Sequence, residues 1–301
     1  MSERARLPVA VMLLFIAAVQ ILALAITPAI SSSGDRVFQD PSSTLNPFIY
    51  VILILGFTAF LLLAMRLKKG WIVGGFIQLS IAASIYYVLA AFLTPLLALL
   101  PTLAVMLLLR YYPEWYVIDA FGIVVCAAIS ALFGVSMDPL PTVVLLVILA
   151  VYDAISVYKT RHMVSLAEGV IRMKAPLLFV VPRSPGYSFR KDEFSGSSSA
   201  AASTENSTTN EKGRMGAYFL GLGDAIIPTI LVISAYVTLP GAGILGIGYP
   251  AAGAMLGTYI GFLLLMTTSR ERPQAGLPFL NSGVILGFLA GCMAAGVFVC
   301  V

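Results

Sequence analysis

The chain has 301 residues, of which 59% are apolar and only 11% charged, with a mean hydropathy of +0.97. A soluble globular domain carries about 25% charged residues, so this composition excludes one and describes a polytopic protein of the cell membrane. The net charge of +4 would favour nucleic acid in a soluble chain; here it reports where Lys and Arg lie relative to a bilayer, and no nucleic-acid partner is expected.

A hydrocarbon core about 30 Å thick takes about 20 apolar residues per helix. That measure divides the chain into nine runs, 7–30, 47–65, 71–92, 95–109, 115–135, 140–158, 216–239, 244–266 and 279–301. The first follows Ser2-Glu3-Arg4-Ala5-Arg6 in the manner of a signal sequence, but it has no small-residue cleavage site and is long enough to span, so it is taken as the first transmembrane helix. The stretch 71–109 is apolar throughout and almost twice the length of one span. It is divided at Leu93-Thr94-Pro95, because proline favours a helix start and the residue before it avoids the helical region.

Charge placement supports that division, since cytoplasmic loops carry the excess of Lys and Arg. With nine spans one side receives Arg4, Arg6, Arg66, Lys68, Lys69, Arg110, the basic residues between Lys159 and Arg214, Arg270 and Arg272, and only Arg36 falls opposite. The expected fold is therefore all-α, with nine transmembrane helices, a cytoplasmic N-terminus and the C-terminus outside. Trp71, Tyr111, Tyr112 and Trp115 flank the basic turns as an interfacial aromatic belt.

Three segments follow from this layout: helices one to six within 1–160, a cytoplasmic loop at 161–215, and helices seven to nine within 216–301. The loop centre, 195–210, is a Ser-, Thr-, Ala- and Asn-rich stretch of disordered composition. Its sequon at Asn206 is discounted on the cytoplasmic side. Within the same loop, residues 175–182 are too short to span, and their β-branched and aromatic content between prolines fits an extended segment, a surface-lying stretch or a packed loop. Cys126, Cys292 and Cys300 lie in apolar runs without CxxC spacing and read as packing residues; the only histidine, His162, lies in the basic loop. No cofactor or metal is expected.

Gly253, Gly257 and Gly261 in the eighth run and Gly283, Gly287 and Gly291 in the ninth recur at every fourth position, a spacing that lets helix backbones approach closely in lipid.

Asp153, after Tyr152, and Asp224, in Gly221-Leu222-Gly223-Asp224, are the only acidic residues placed well inside the runs. A carboxylate at membrane depth costs about 3 kcal/mol on insertion scales and marks function. Asp153 precedes Lys159 by six residues, about 9 Å of helix, and Asp224 follows Arg214 by ten, about 15 Å if all helical, so both lie toward the cytoplasmic face. Gly221, Gly223 and Pro228 loosen the helix around Asp224, as suits backbone lining a cavity. Asp119, one turn from Glu114 and Trp115, is expected at the interface, solvated or paired with Arg110.

Tyr152-Asp153 and Gly221-Leu222-Gly223-Asp224, separated by a long loop, resemble the paired motifs of the presenilin and signal peptide peptidase family of intramembrane aspartyl proteases. The family's Pro-Ala-Leu-Pro motif corresponds to Ala275-Gly276-Leu277-Pro278, which keeps Leu and the final Pro. Gly223-Asp224-Ala225-Ile226-Ile227-Pro228 is more like the signal peptide peptidases and the cytoplasmic N-terminus more like presenilin, a mixture suggesting a microbial, archaeal-type homologue. The resemblance implies that Asp153 and Asp224 are the catalytic pair, one carboxylate activating water while the other, protonated, donates to the peptide carbonyl. It implies transmembrane segments of single-span proteins or peptides as substrates, within membrane lipid, and leaves homo-oligomerisation open. Tyr152, Gly221, Leu222, Gly223, Gly276, Leu277 and Pro278 would contact the substrate, the last two and the segment before Asp224 by strand addition. The alternative function is a proton-coupled transporter or channel using the same two carboxylates.

Overall fold

The computed structural model describes residues 3–34, 36–38, 40–66, 70–112, 114–157, 178–182, 217–239, 241, 243–244, 246–268 and 276–297. His162, Cys300, Ala275 and the Ser- and Thr-rich stretch 195–210 lie outside them. Nine helices are present among the described residues: α1 (Glu3–Ser33), α2 (Asn46–Arg66), α3 (Gly70–Ala90), α4 (Pro95–Tyr111), α5 (Trp115–Ser136), α6 (Pro139–Ile155), α7 (Leu222–Thr238), α8 (Tyr249–Thr268) and α9 (Gly276–Ala294). Five, α1, α3, α5, α8 and α9, are long and apolar enough to cross a membrane, and the other four are shorter apolar helices.

The helix boundaries follow local chemistry. Extended Thr94 precedes α4 and Pro95 opens it, where a missing N–H costs nothing because the first helical amides have no intrahelical acceptor. α6 starts in the same way, after Asp138 and on Pro139.

Two departures from an all-helical layout matter. Leu178–Pro182 is a strand, β1, and Ala217–Gly221 is a second, β2; they pair antiparallel with Val180 opposite Phe219 and Leu178 opposite Gly221. Within the apolar run 216–239, residues 217–221 are thus a strand and 222–238 a helix, and of the three readings of 175–182 the extended one holds for 178–182. A second small pair, β3 (Gly243–Ile244) and β4 (Ile247–Gly248), precedes α8.

α5 is the central post, packed against α1, α3, α7 and β1. The largest core cluster joins Ala23 of α1, Ala131 of α5, Leu146 of α6, Ile233 of α7, Ala254 of α8 and Phe288 of α9. β1 lies inside the bundle: Phe179 is fully buried, with its ring centroid 5.2 Å from that of Phe15 on α1. A Cβ on Gly122 of α5 would sit 3.1 Å from its ring. On the outer surface Leu96, Leu100 and Leu103 of α4 are exposed, as a lipid-facing helix requires.

The six glycines of α8 and α9 form one seam, as their spacing predicts. A Cβ on Gly257 would strike the Gly283 carbonyl oxygen, and one on Gly287 that of Gly253. The seam fixes α9, whose first turn carries Gly276 and Leu277, on a rigid support.

Candidate active site

Asp153 lies in the last turn of α6 and is 5% exposed. The helix does not end cleanly there: the Ser156 N–H donates to the carbonyls of both Tyr152 and Asp153, and the backbone widens into a π-type turn at 156–157. Such local widening recurs at functional sites. Tyr152 is partly buried.

Asp224 sits in the first turn of α7, because Gly221 is extended (φ −63°, ψ 136°) and ends the strand just before the helix begins. Irregular backbone therefore precedes the aspartate, while Asp224 itself is helical, near the positive end of the helix dipole. Pro228 is buried within α7 and has no N–H to offer the Asp224 carbonyl.

The two carboxyls converge on the first turn of α9. The Leu277 N–H donates to Asp153 Oδ2 at 3.1 Å, orienting that carboxyl. A Cβ on Gly276 would lie 3.5 Å from both oxygens of Asp224, and one on Gly221 3.3 Å from Asp224 Oδ2. Asp153 and Asp224 are near enough to interact electrostatically.

The other residues singled out in the sequence separate into groups. Gly276, Leu277 and Gly221 pack around the carboxyls. Pro278 opens instead onto an apolar groove of about 770 Å³ along the α8–α9 seam. Gly223 is exposed, with nothing within 4 Å of a Cβ built on it. The Leu222 side chain is buried in a core cluster with Phe179 and Leu280, so it contributes packing there.

One expectation is corrected. Asp119 is neither solvated nor paired with Arg110 but 3% exposed, and its Oδ1 accepts the Val180 N–H at 2.8 Å. The cause is β1, which fills the space beside the first turns of α5. Asn281 is a second polar residue with a role the sequence did not suggest: its Nδ2 donates to the Leu146 carbonyl at 2.8 Å, bracing α9 against α6 one turn beyond Leu277. A lone Asn in an apolar run was the available signal.

The family model described as "Signal-peptide peptidase, presenilin aspartyl protease" matches residues 11–297. The solved structure of a presenilin family intramembrane aspartate protease in a C222 space group is 33% identical, covering 96% of this chain and 99% of its own, with a TM-score of 0.66. The P2 structure of a presenilin family intramembrane aspartate protease is 35% identical, covering 94% and 97%, also at 0.66. No curated protein matches the chain. A helical bundle that brings an aspartate from each of two helices to one motif, matched along nearly its whole length, belongs to the signal-peptide peptidase and presenilin family of intramembrane aspartate proteases, which are multi-pass membrane proteins.

Proposed function

We propose that the chain hydrolyses peptide bonds within transmembrane segments of single-span membrane proteins or peptides, with Asp153 and Asp224 as a general acid–base pair. The observation that carries this reading is the convergence of both carboxyls on one turn of α9, Asp153 through the Leu277 amide and Asp224 against Gly276. One carboxylate takes a proton from water as its oxygen attacks the peptide carbonyl carbon, while the other, protonated, gives its proton to the carbonyl oxygen. The tetrahedral intermediate collapses with cleavage of the C–N bond and protonation of the leaving amine, leaving a carboxylic acid and an amine.

A helical substrate shields its peptide bonds with its own hydrogen bonds and side chains, so the cleaved segment must be extended. β2, which runs into Gly221, and Leu277-Pro278 are the backbone that would hold it by strand addition, with Tyr152, Gly223 and Gly276 beside it. The proposed topology is nine spans with the N-terminus cytoplasmic, the C-terminus outside and 161–215 as the cytoplasmic loop, and it rests on the placement of Lys and Arg. Lipid surrounds the bundle.

The test is cleavage of a labelled single-span peptide by purified protein in detergent or bilayer. The wild-type chain should cleave, and Asp153→Asn and Asp224→Asn, which keep side-chain volume but cannot cycle a proton, should each be inactive while remaining folded and monodisperse. Substantial turnover by either variant would sink the dyad.

A further inference from the structure

We propose that Asp119 is a positioning residue for the protease reaction: by holding the Val180 amide it fixes the β1–β2 strand pair that receives the substrate against α5. The inference rests on the protease reading above.

Asp119 stands out because the dyad makes no use of it. It is almost fully buried in α5, one oxygen accepts the Val180 N–H, and the other, Oδ2, is buried with no hydrogen-bond partner among the described residues. Its surroundings are apolar: Ile118, Val180 and Ala217 form the local core, with Trp115 and Phe219 packed against it. A buried carboxyl with one oxygen unpaired is costly, so packing alone is a poor account of it.

The strand geometry gives the bond its consequence. Alternate residues of an antiparallel strand send their N–H groups to opposite edges, so the Val180 amide that meets Asp119 is turned away from β2. Asp119 therefore seals the α5 edge of β1. Through the register of Val180 with Phe219 it also sets the position of β2, the strand proposed to hold the substrate.

α5 continues the alignment along one face. Seven residues beyond Asp119, Cys126 Sγ approaches the Leu222 carbonyl at 3.7 Å, and four further on Ser130 Oγ donates to the Ile226 carbonyl at 3.3 Å. Positions 119, 126 and 130 fall on one side of a helix. They meet β1, then the start of α7, then its second turn. Asp119 is the rung that reaches β1, whereas the catalytic carboxyls are carried by α6 and α7 and meet at the first turn of α9.

The test compares Asp119→Asn, which keeps an acceptor oxygen for Val180, with Asp119→Leu, which keeps the branching and the number of heavy atoms but removes the acceptor. Both are purified as full chains and assayed with a labelled single-span peptide, with thermal unfolding and amide hydrogen exchange of 178–181 followed in parallel. In the Leu variant the amides of 178–181 should exchange faster. Its KM should rise about ten-fold or more while kcat changes by less than about three-fold, the pattern of lost uniform substrate binding. The Asn variant should match the wild type in exchange, in KM and in pH profile.

A folded Leu variant with unchanged KM or unchanged exchange would overturn the proposal. An Asn variant as impaired as the Leu variant would replace it with a role for the charge or proton, and a Leu variant that aggregates would reassign Asp119 to stability alone. If exchange at 178–181 responds as expected but the wild-type chain cleaves nothing, it is the protease reading that fails and not the tether.

Discussion

The Leu277 backbone N–H donates to Asp153 Oδ2 at 3.1 Å, joining α9 to α6 through residues 124 apart in the chain. Because the donor is main chain, its position depends on how α9 is seated and not on a rotamer. Both the Asn281 brace to Leu146 and the glycine seam with α8 act on that seating. Asp224 has a different environment, with glycine backbone on two sides.

This difference predicts an order among three alanine substitutions. Gly276→Ala places its Cβ 3.5 Å from the Asp224 oxygens, an ordinary contact, and Gly223→Ala meets nothing within 4 Å; both should retain activity within about three-fold. Gly221→Ala would stand 3.3 Å from Asp224 Oδ2, so the carboxyl must yield by a few tenths of an ångström. As a misplacement of about 1 Å can cost about 10²-fold, a fall in kcat of about ten-fold is expected. Initial rates for the three variants check the order, and a Gly276→Ala variant slower than Gly221→Ala would contradict it.

Much of this site was legible in the sequence because membrane burial makes rare residues conspicuous. Asp153 and Asp224 stood out as carboxylates in apolar runs, and Pro95 marked the break between α3 and α4. What could not be read depended on contacts distant in sequence. Residues 217–221 are apolar and continuous with a helical run, so nothing local separates strand from helix; the partner that makes them a strand is β1, about forty residues earlier. Asp119 was misassigned for the same reason, since Arg110 was its visible neighbour and its actual partner, Val180, is 61 residues away. Leu222 belonged to the expected substrate contacts as part of a motif, yet its side chain is committed to the core.

The seam between α8 and α9 should be the least tolerant helix contact to enlargement. Gly257→Ala drives a methyl into the Gly283 carbonyl and Gly287→Ala one into the Gly253 carbonyl. Relieving such overpacking costs about 1–3 kcal/mol, and the displacement passes to Leu277 through α9. Thermal unfolding in a fixed detergent should show both variants destabilised and slower in cleavage. Gly56→Ala and Gly74→Ala, with nothing within 4 Å of the added carbon, serve as controls expected to unfold no earlier than the wild type.

Gln20 predicts a change in the opposite direction. It is fully buried in α1, and neither its Nε2 nor its Oε1 has a hydrogen-bond partner among the described residues. Burying an amide without partners costs about 1–3 kcal/mol by mutational measures. Gln20→Leu, similar in volume and wholly apolar, should raise the unfolding temperature. A lower unfolding temperature would mean that the amide is satisfied in the folded protein and that this cost is not being borne.

The last prediction concerns pH. Hydrolysis as proposed needs one carboxyl ionised, to take the proton from water, and the other protonated, to give one to the substrate oxygen. In the proposed mechanism both carboxyls act on one water, so their two proton losses are macroscopic steps of the pair and belong to neither residue alone. Below the first step both carboxyls are protonated and no base is present; above the second both are ionised and no acid is present. The singly protonated pair between them is the active form. The initial rate of peptide cleavage should rise and then fall with pH, with folding followed at each point so that neither limb reflects unfolding. Asp119→Asn should leave both limbs in place, because Asp119 contributes an acceptor and not a proton. A rate that stays flat across the range in which the wild-type chain remains folded would rule out a shared-proton mechanism for these two aspartates.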